Sequence, residues 1–278
     1  SASGNQPLFN ENGQVVCVCN GEIYNWRSLR NELEGRGHLF SSSSDSEVCV
    51  HAYEEYGLDF VHQLRGMFAI AIYDLRCDRL LLVRDRMGIK PLHLRRDPDG
   101  LRFASELAPL NRCGDRIDRL GLNLFFARDS LPAPHTIFTE VTSLCPGEWA
   151  LLEKGKFRRH HYWRPHFLAD RGRSEGSFQE ELRCLLEESV REHLQSDVPV
   201  GFFLSGGVDS TAVLGFARKR MISPPLTFTL GFQGEAEDEA RQAQATARLW
   251  NTIHRETAIA RHGIEALMDE AFASMDQP

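Results

Sequence analysis

Apolar residues mark out the chain as a series of short elements. Val15 to Val18 reads as a strand, and Trp26, Leu29 and Leu33 then recur at helical spacing. Ser44-Asp45-Ser46-Glu47 has the capping-box spacing of a helix start, Ser44 to Glu47, and apolar Val48, Ala52, Tyr53 and Tyr56 follow. The runs Leu64 to Asp74 and Arg79 to Leu92 predict a hairpin whose loop is Leu75 to Asp78. A further strand pair is expected at Trp149 to Leu152 and Phe157 to Tyr162, after the turn Pro146-Gly147-Glu148. From Arg164 to Ser177 the pattern dissolves into Arg, Gly, Ser and Pro, as in a linker.

Beyond it, Phe178, Leu182, Leu185, Leu186 and Val190 form one helical face, which leads to an apolar strand from Val198 to Leu204. A helix starting near Ser210, a strand at Leu226 to Phe232, a helix at Glu239 to Leu249 with Ala240, Ala243 and Ala247 on one side, and a strand over 251–258 complete the order. Alternating strands and helices predict a parallel α/β sheet with its ligand at the carboxyl edge.

The strand ending at Leu204 breaks into Ser205-Gly206-Gly207-Val208-Asp209-Ser210. Two glycines let backbone N–H groups converge, the helix N-terminus favours an anion, two serines add hydroxyl donors, and Asp209 can hold Mg²⁺ against phosphate oxygens. With no G-x-x-x-x-G-K-[S/T] and no lysine in the loop, γ-phosphate transfer of the P-loop kind is not the expected chemistry. The other reading of these residues is an ordinary Ser-Gly-Gly turn.

The loop resembles the S-G-G-x-D-S pyrophosphatase loop of the N-type ATP pyrophosphatases. Phe203 to Ser210, followed by Leu226-Thr227-Phe228-Thr229-Leu230-Gly231-Phe232, resembles the synthetase domain of glutamine-dependent asparagine synthetases. That likeness implies ATP at Leu204, Ser205, Gly206, Gly207, Asp209, Ser210, Leu230 and Gly231, with Leu204 and Leu230 against the adenine and Mg²⁺ on Asp209.

Asn20-Gly21-Glu22-Ile23-Tyr24-Asn25, Ser44-Asp45-Ser46-Glu47 and the two hairpin runs resemble the class II glutamine amidotransferase domain. The family's fold is an N-terminal-nucleophile hydrolase sandwich, α+β, with antiparallel sheets between helices. By resemblance, Asn20 and the N–H of Gly21 form an oxyanion hole, and Glu22 and Asp45 accept the glutamine α-ammonium. The residue types suit those tasks, because neutral donors stabilise a developing oxyanion and carboxylates hold an ammonium. On the residues alone, Asn20-Gly21 also reads as a tight turn after the strand, and Asp45 as a helix cap.

Residues 1–162 are thus expected to form the amidotransferase domain, 163–177 a linker, and 178–278 the ATP-binding domain. The function implied is an ATP-dependent amide ligase that draws ammonia from glutamine and activates a carboxylate, aspartate's side chain foremost, as an acyl-adenylate. Two alternatives are a β-lactam-synthetase-like intramolecular ligase and a non-catalytic nucleotide-binding regulator. The family's N-terminal cysteine nucleophile and the arginine for the glutamine carboxylate have no counterpart here, and the family continues past Pro278, so truncation at both ends is expected and the fragment is expected to be inactive. Ser1 is a poor substitute nucleophile, since polar and small residues follow it.

A formal charge of -7 over 278 residues argues against a nucleic-acid surface, and no apolar run is long enough for a membrane helix. The seven cysteines, scattered without C-x-x-C spacing, read as reduced, mostly buried thiols of a cytoplasmic protein, with Cys17 and Cys19 on one strand face. His160-His161 reads as linker surface. A homodimer is compatible with all of this.

Overall fold

The computed structural model describes residues 5–170, 172–196, 198–232, 239–259, 268, 271, 272 and 274–276. The contacts divide the chain into two compact units, one through Phe167 and one from Leu168 to Met275.

The first unit runs β1 (Leu8–Phe9), β2 (Val15–Ile23), α1 (Trp26–Gly35), α2 (Val48–Tyr56), α3 (Phe60–Gln63), β3 (Gly66–Asp74), β4 (Arg79–Arg84), β5 (His93–Asp97), β6 (Gly100–Ala104), α4 (Arg119–Arg128), β7 (Val141–Ser143), β8 (Glu148–Glu153) and β9 (Lys156–His161). The strands form two antiparallel sheets, ordered β1-β2-β3-β4-β8-β9 and β6-β5-β7. Strand alternation gives the larger sheet two apolar faces. One carries Cys17, Ile23, Phe68, Ile70, Ile72 and Leu81 against Leu29 and Leu33 of α1, Val48 and Ala52 of α2, and Phe60 of α3. The other carries Ala69, Ala71, Leu82 and Ala150 against Leu92, Leu94 and Leu144 of the smaller sheet. The smaller sheet's outer face is packed by Leu107, Ile137, Phe138 and Leu110, the last in a short 3₁₀ helix, Ala108 to Leu110.

The second unit holds α5 (Glu175–His193), β10 (Gly201–Phe203), α6 (Val208–Arg218), β11 (Leu226–Phe232), α7 (Glu239–Leu249) and β12 (Ile253–Ile259). Among the described residues its three strands are all parallel, in the order β10-β11-β12. Leu204, Leu214, Ala243 and Ala247 make its core.

Several boundaries differ from expectation for physical reasons. Asn20-Gly21 is no turn, because β2 runs on to Ile23 with Asn20 opposite Ala69 and Gly21 opposite Phe68. Ser44 and Glu47 do not form a reciprocal capping box. Ser44 accepts from the Ser46 N–H at the start of a 3₁₀ turn, Asp45 to Glu47, while the Glu47 carboxylate is drawn back onto the N–H and hydroxyl groups of Ser41 and Ser42 at 2.5–2.9 Å. The second hairpin strand stops at Arg84, where the Asp85 carboxylate gathers the N–H groups of Met87, Ile89 and Lys90, each at 3.0 Å, into a turn.

α5 starts three residues before Phe178, inside the expected linker, because Ser174 caps it by accepting from the Ser177 N–H. Its apolar face is open, with Leu182 and Leu185 more than half exposed and only Val190 buried. Of the strand expected from Val198, only Gly201 to Phe203 pairs, and α6 begins at Val208, two residues before Ser210. His160 and His161 belong to β9, where the His160 ring lies 5.2 Å from that of Trp149. Three of the seven thiols are buried, Cys17, Cys19 and Cys49, fewer than expected. Contact with Cys17 and Cys19, reinforced by burial, pushes the Cys49 thiol well above its usual pKa.

Candidate functional site

In the first unit the site builds outward from the edge of β2 beyond its short pairing with β1. Residues at alternate positions of an antiparallel strand direct their N–H and C=O groups to the same side. Phe68, opposite Gly21, turns its carbonyl to the Asp85 N–H at 2.9 Å and its own N–H to the Asp85 carboxylate at 3.3 Å, both away from β2. Gly21 therefore points its N–H away from β3. The same parity holds along the strand. The Val15 N–H meets the Asn10 side-chain oxygen at 3.0 Å, the Cys19 N–H meets Gln6 Oε1 at 2.7 Å, and the Ile23 N–H meets Asp45 Oδ2 at 2.7 Å. Gln6 Nε2 also donates to the Cys19 carbonyl at 2.7 Å, so one side chain stands in for a strand residue. Between Gln6 and Asp45 the Gly21 N–H faces outward, with no acceptor for it among the described residues.

Gly21 has φ 153°, and a Cβ there would stand 2.0 Å from the Met67 carbonyl oxygen. Only glycine allows β2 and β3 to close this tightly. The Asn20 carboxamide is exposed and donates to Ser105 Oγ at 2.9 Å. It borders a cleft of about 210 Å³ between the sheets, lined also by Gln6, Val18, Ala69, Ala71 and Phe103. The alanines of β3 keep that floor low, and neutral amide and hydroxyl groups are the polar ones at its rim. Glu22 is exposed on the same strand face as Asn20, and Asp45 is half-buried beside Ile23. Folding thus brings Asn20, Gly21, Glu22 and Asp45 to one end of β2, although Glu22 and Asp45 do not line the cleft. Gln6 and Ser105 were missed in the sequence, because neither stands in a recognisable motif. Ser1, weighed as a nucleophile, lies outside the described residues.

In the second unit Ser205, Gly206 and Gly207 join β10 to α6, with Asp209 and Ser210 in the first helical turn. Gly206 has φ 76°, and a Cβ there would lie 2.6 Å from the Gln242 Cβ. Ser205 Oγ and Ser210 Oγ are 3.1 Å apart, and Ser210 Oγ donates to the Gly207 carbonyl at 3.2 Å. The loop is thus closed around two hydroxyls, with Asp209 exposed at its mouth. An exposed carboxylate next to hydroxyls and helix N–H groups fits Mg²⁺, which keeps several waters and takes its other ligands from phosphate. Leu230 is 54% exposed and Gly231 follows it near the carboxyl end of β11, whereas Leu204 is only 2% exposed. The Leu204 side chain packs on Leu214 and Ala243, and its carbonyl accepts from Thr229 Oγ1. A hollow of about 570 Å³ lies between α6 and α7 around Phe216 and Trp250 and meets the loop at Gly206 and Val208.

Residues 1–163 match the glutamine amidotransferase domain family, and residues 181–278 match the asparagine synthase family. The chain belongs to the asparagine synthetase family. It is 35% identical to glutamine-hydrolysing asparagine synthetase 1 of Bacillus subtilis (strain 168) over 249 residues, 88% of this chain and 39% of that protein. Against glutamine-hydrolysing asparagine synthetase B of Escherichia coli (strain K12) it is 34% identical over 282 residues, 96% of this chain and 46% of that protein. The chain spans about two fifths of the length of these curated relatives. A solved glutamine phosphoribosylpyrophosphate amidotransferase of B. subtilis, complexed with ADP and GMP, superposes with a TM-score of 0.42 at 15% identity, covering 93% of this chain and 65% of that one. No helix among the described residues is long and apolar enough to cross a membrane.

Proposed function

We propose that the full-length protein is a two-site ligase, which takes ammonia from glutamine at the first unit and forms an amide on an ATP-activated carboxylate at the second, aspartate being the foremost acceptor. The observation that carries this reading is the outward, unmatched N–H of Gly21 beside the Asn20 carboxamide. Two neutral donors on adjacent residues of β2, the Asn20 one bordering the cleft, suit a tetrahedral intermediate, in which the carbonyl oxygen of the attacked amide takes on full negative charge. Glu22 and Asp45, at the same end of β2, supply the negative charge that a bound α-ammonium requires. The two antiparallel sheets with helices on the larger one suit an N-terminal-nucleophile hydrolase fold. The attacking group is not among the described residues.

In the second unit ATP would lie at the carboxyl edge of the parallel sheet, with pyrophosphate on the Ser205 to Ser210 loop and adenine near Leu230 and Gly231. Mg²⁺ on Asp209, when bound, neutralises the departing pyrophosphate. The loop N–H groups and the two serines orient it, and the α6 N-terminus favours its charge. An intramolecular ligase would have no use for the Gly21 donor, and a nucleotide-binding regulator would hold ATP on the loop without releasing pyrophosphate. The reading carries with it domain limits of 1–162 and 178–278, a cytoplasmic setting, small-molecule partners and room for a homodimer.

The test is to supply the full-length protein with amide-¹⁵N glutamine, ATP and aspartate. Labelled asparagine, AMP and pyrophosphate in equal amounts are expected. ADP in place of AMP, or label remaining in glutamine while ATP is consumed, would overturn the assignment.

A further inference from the structure

In the first unit, Glu11, His38, His51 and Glu54 converge from three separate segments. Glu11 lies in the β1–β2 turn, His38 between α1 and α2, and His51 and Glu54 one turn apart on α2. One ligand-type atom from each lies within 4.8 Å of all the others. Glu11 Oε1 is 3.5 Å from His38 Nδ1 and 3.5 Å from His51 Nδ1. His51 is completely buried, and neither of its ring nitrogens has a hydrogen-bond partner among the described residues. A buried imidazole with both nitrogens unsatisfied is costly, and native proteins rarely leave one so.

The outward-facing nitrogens explain the arrangement. His51 Nε2 points at Glu47 Oε1, 3.7 Å away, and His38 Nε2 at Glu55 Oε2, 3.4 Å away. In both rings Nδ1 turns inward to Glu11 while Nε2 turns to a carboxylate, the arrangement that fixes a histidine tautomer for metal binding. Metal–ligand bonds of about 2.0 Å in a tetrahedron place ligand atoms about 3.3 Å apart, close to the two Nδ1 to Oε1 separations. Glu54 Oε1 accepts from Asn10 Nδ2 at 2.7 Å and from Arg76 Nη1 at 3.2 Å, and Glu11 Oε1 accepts from the Leu39 N–H at 2.7 Å, so both carboxylates are held in place.

We propose that Glu11, His38, His51 and Glu54 bind one divalent transition metal of the zinc class, as a structural site. Two imidazoles and two carboxylates favour such an ion over Mg²⁺ or Ca²⁺, which take oxygen ligands. The ion would bolt the β1–β2 turn and the 36–44 segment to α2, and that segment leads directly to Asp45.

The full-length protein, stripped with a chelator and dialysed, is titrated with ZnCl₂ against a chromophoric competitor, and its metal content is measured after gel filtration. One Zn²⁺ per chain is expected, with a rise in melting temperature that Mg²⁺ does not reproduce and a tetrahedral visible spectrum on Co²⁺ substitution. His38→Gln, at a partly exposed position where folding is safe, should weaken Zn²⁺ binding by about a hundredfold or more. Glu55→Gln should weaken it by about tenfold while leaving one site. Failure to retain zinc, or binding and melting behaviour identical in wild type, His38→Gln and Glu11→Gln, would overturn the proposal, the latter outcome placing the ion elsewhere, such as at Cys145, Glu148 and His161.

Discussion

Replacing Gly21 by alanine is the sharpest test of how the β2 edge is built. The added Cβ would stand 2.0 Å from the Met67 carbonyl oxygen, whereas contacts closer than 3.0 Å do not occur, so β2 and β3 must part locally by about 1 Å. Forcing that gap into a packed sheet costs about 1–3 kcal/mol, and holding alanine at φ 153° about as much again. The sum, about 4 kcal/mol, is a large share of the 5–15 kcal/mol typical of a domain. Urea unfolding of the 278-residue chain, followed by tryptophan fluorescence, reads this well, because Trp26, Trp149 and Trp163 all pack against the helix-side core of the first unit. Gly21→Ala should lower the midpoint of that transition sharply and leave the surroundings of Trp250, in the second unit's core, unchanged. A loss below about 1 kcal/mol would refute the close approach of the strands as the reason for glycine.

Asn20→Ala removes an exposed donor, so unfolding should shift by no more than about 0.5 kcal/mol while glutamine hydrolysis by the full-length protein falls about 10²-fold or more and ammonia-dependent amide formation persists. Unchanged glutamine turnover would return Asn20 to a purely structural role. Asp209→Asn should abolish most ATP–pyrophosphate exchange and spare glutaminase activity; parallel loss of both would sink the two-site assignment. Glu148 is buried, which pushes its pKa up, but the bidentate Arg159 at 2.6 and 2.7 Å and the Cys145 N–H bring the net value below the ordinary 4.5. Its carboxylate therefore stabilises the fold above that pH and ceases to as the pH falls through the lowered value. Glu148→Gln should cost about 2–3 kcal/mol at pH 7, and the gap from wild type should close in acid urea titrations; a gap independent of pH would contradict this.

The sequence was most readable where period and chemistry coincide. The hairpin of β3 and β4 and the β11–α7–β12 order follow from apolar alternation, and the Ser205 to Ser210 loop announces itself through glycines, hydroxyls and acid in one short run. It was least readable where long-range contacts decide. Asn20-Gly21 looks like a turn locally and becomes strand only because β3 pairs with it along its full length. Glu47 looks like a capping residue, yet the four donors of Ser41 and Ser42 outcompete the Ser44 N–H for it. No local pattern ties Ser105 to Asn20, 85 residues earlier, or Gln6 to Cys19. The cluster at His51 is equally hidden, because its members come from three elements.

The edge of β2 also bears on how this protein avoids its own copies. An open strand edge is a template on which another chain can grow, and long runs of unpaired N–H and C=O groups invite it. Here the outward groups from Cys17 to Ile23 end on unlike partners in succession, a short strand at Leu8, the Gln6 amide and the Asp45 carboxylate. A foreign strand would have to displace two side chains to zip along it. Among the described residues the vacancy at Gly21 is one residue wide, enough for a small oxygen atom and too narrow to seed a sheet.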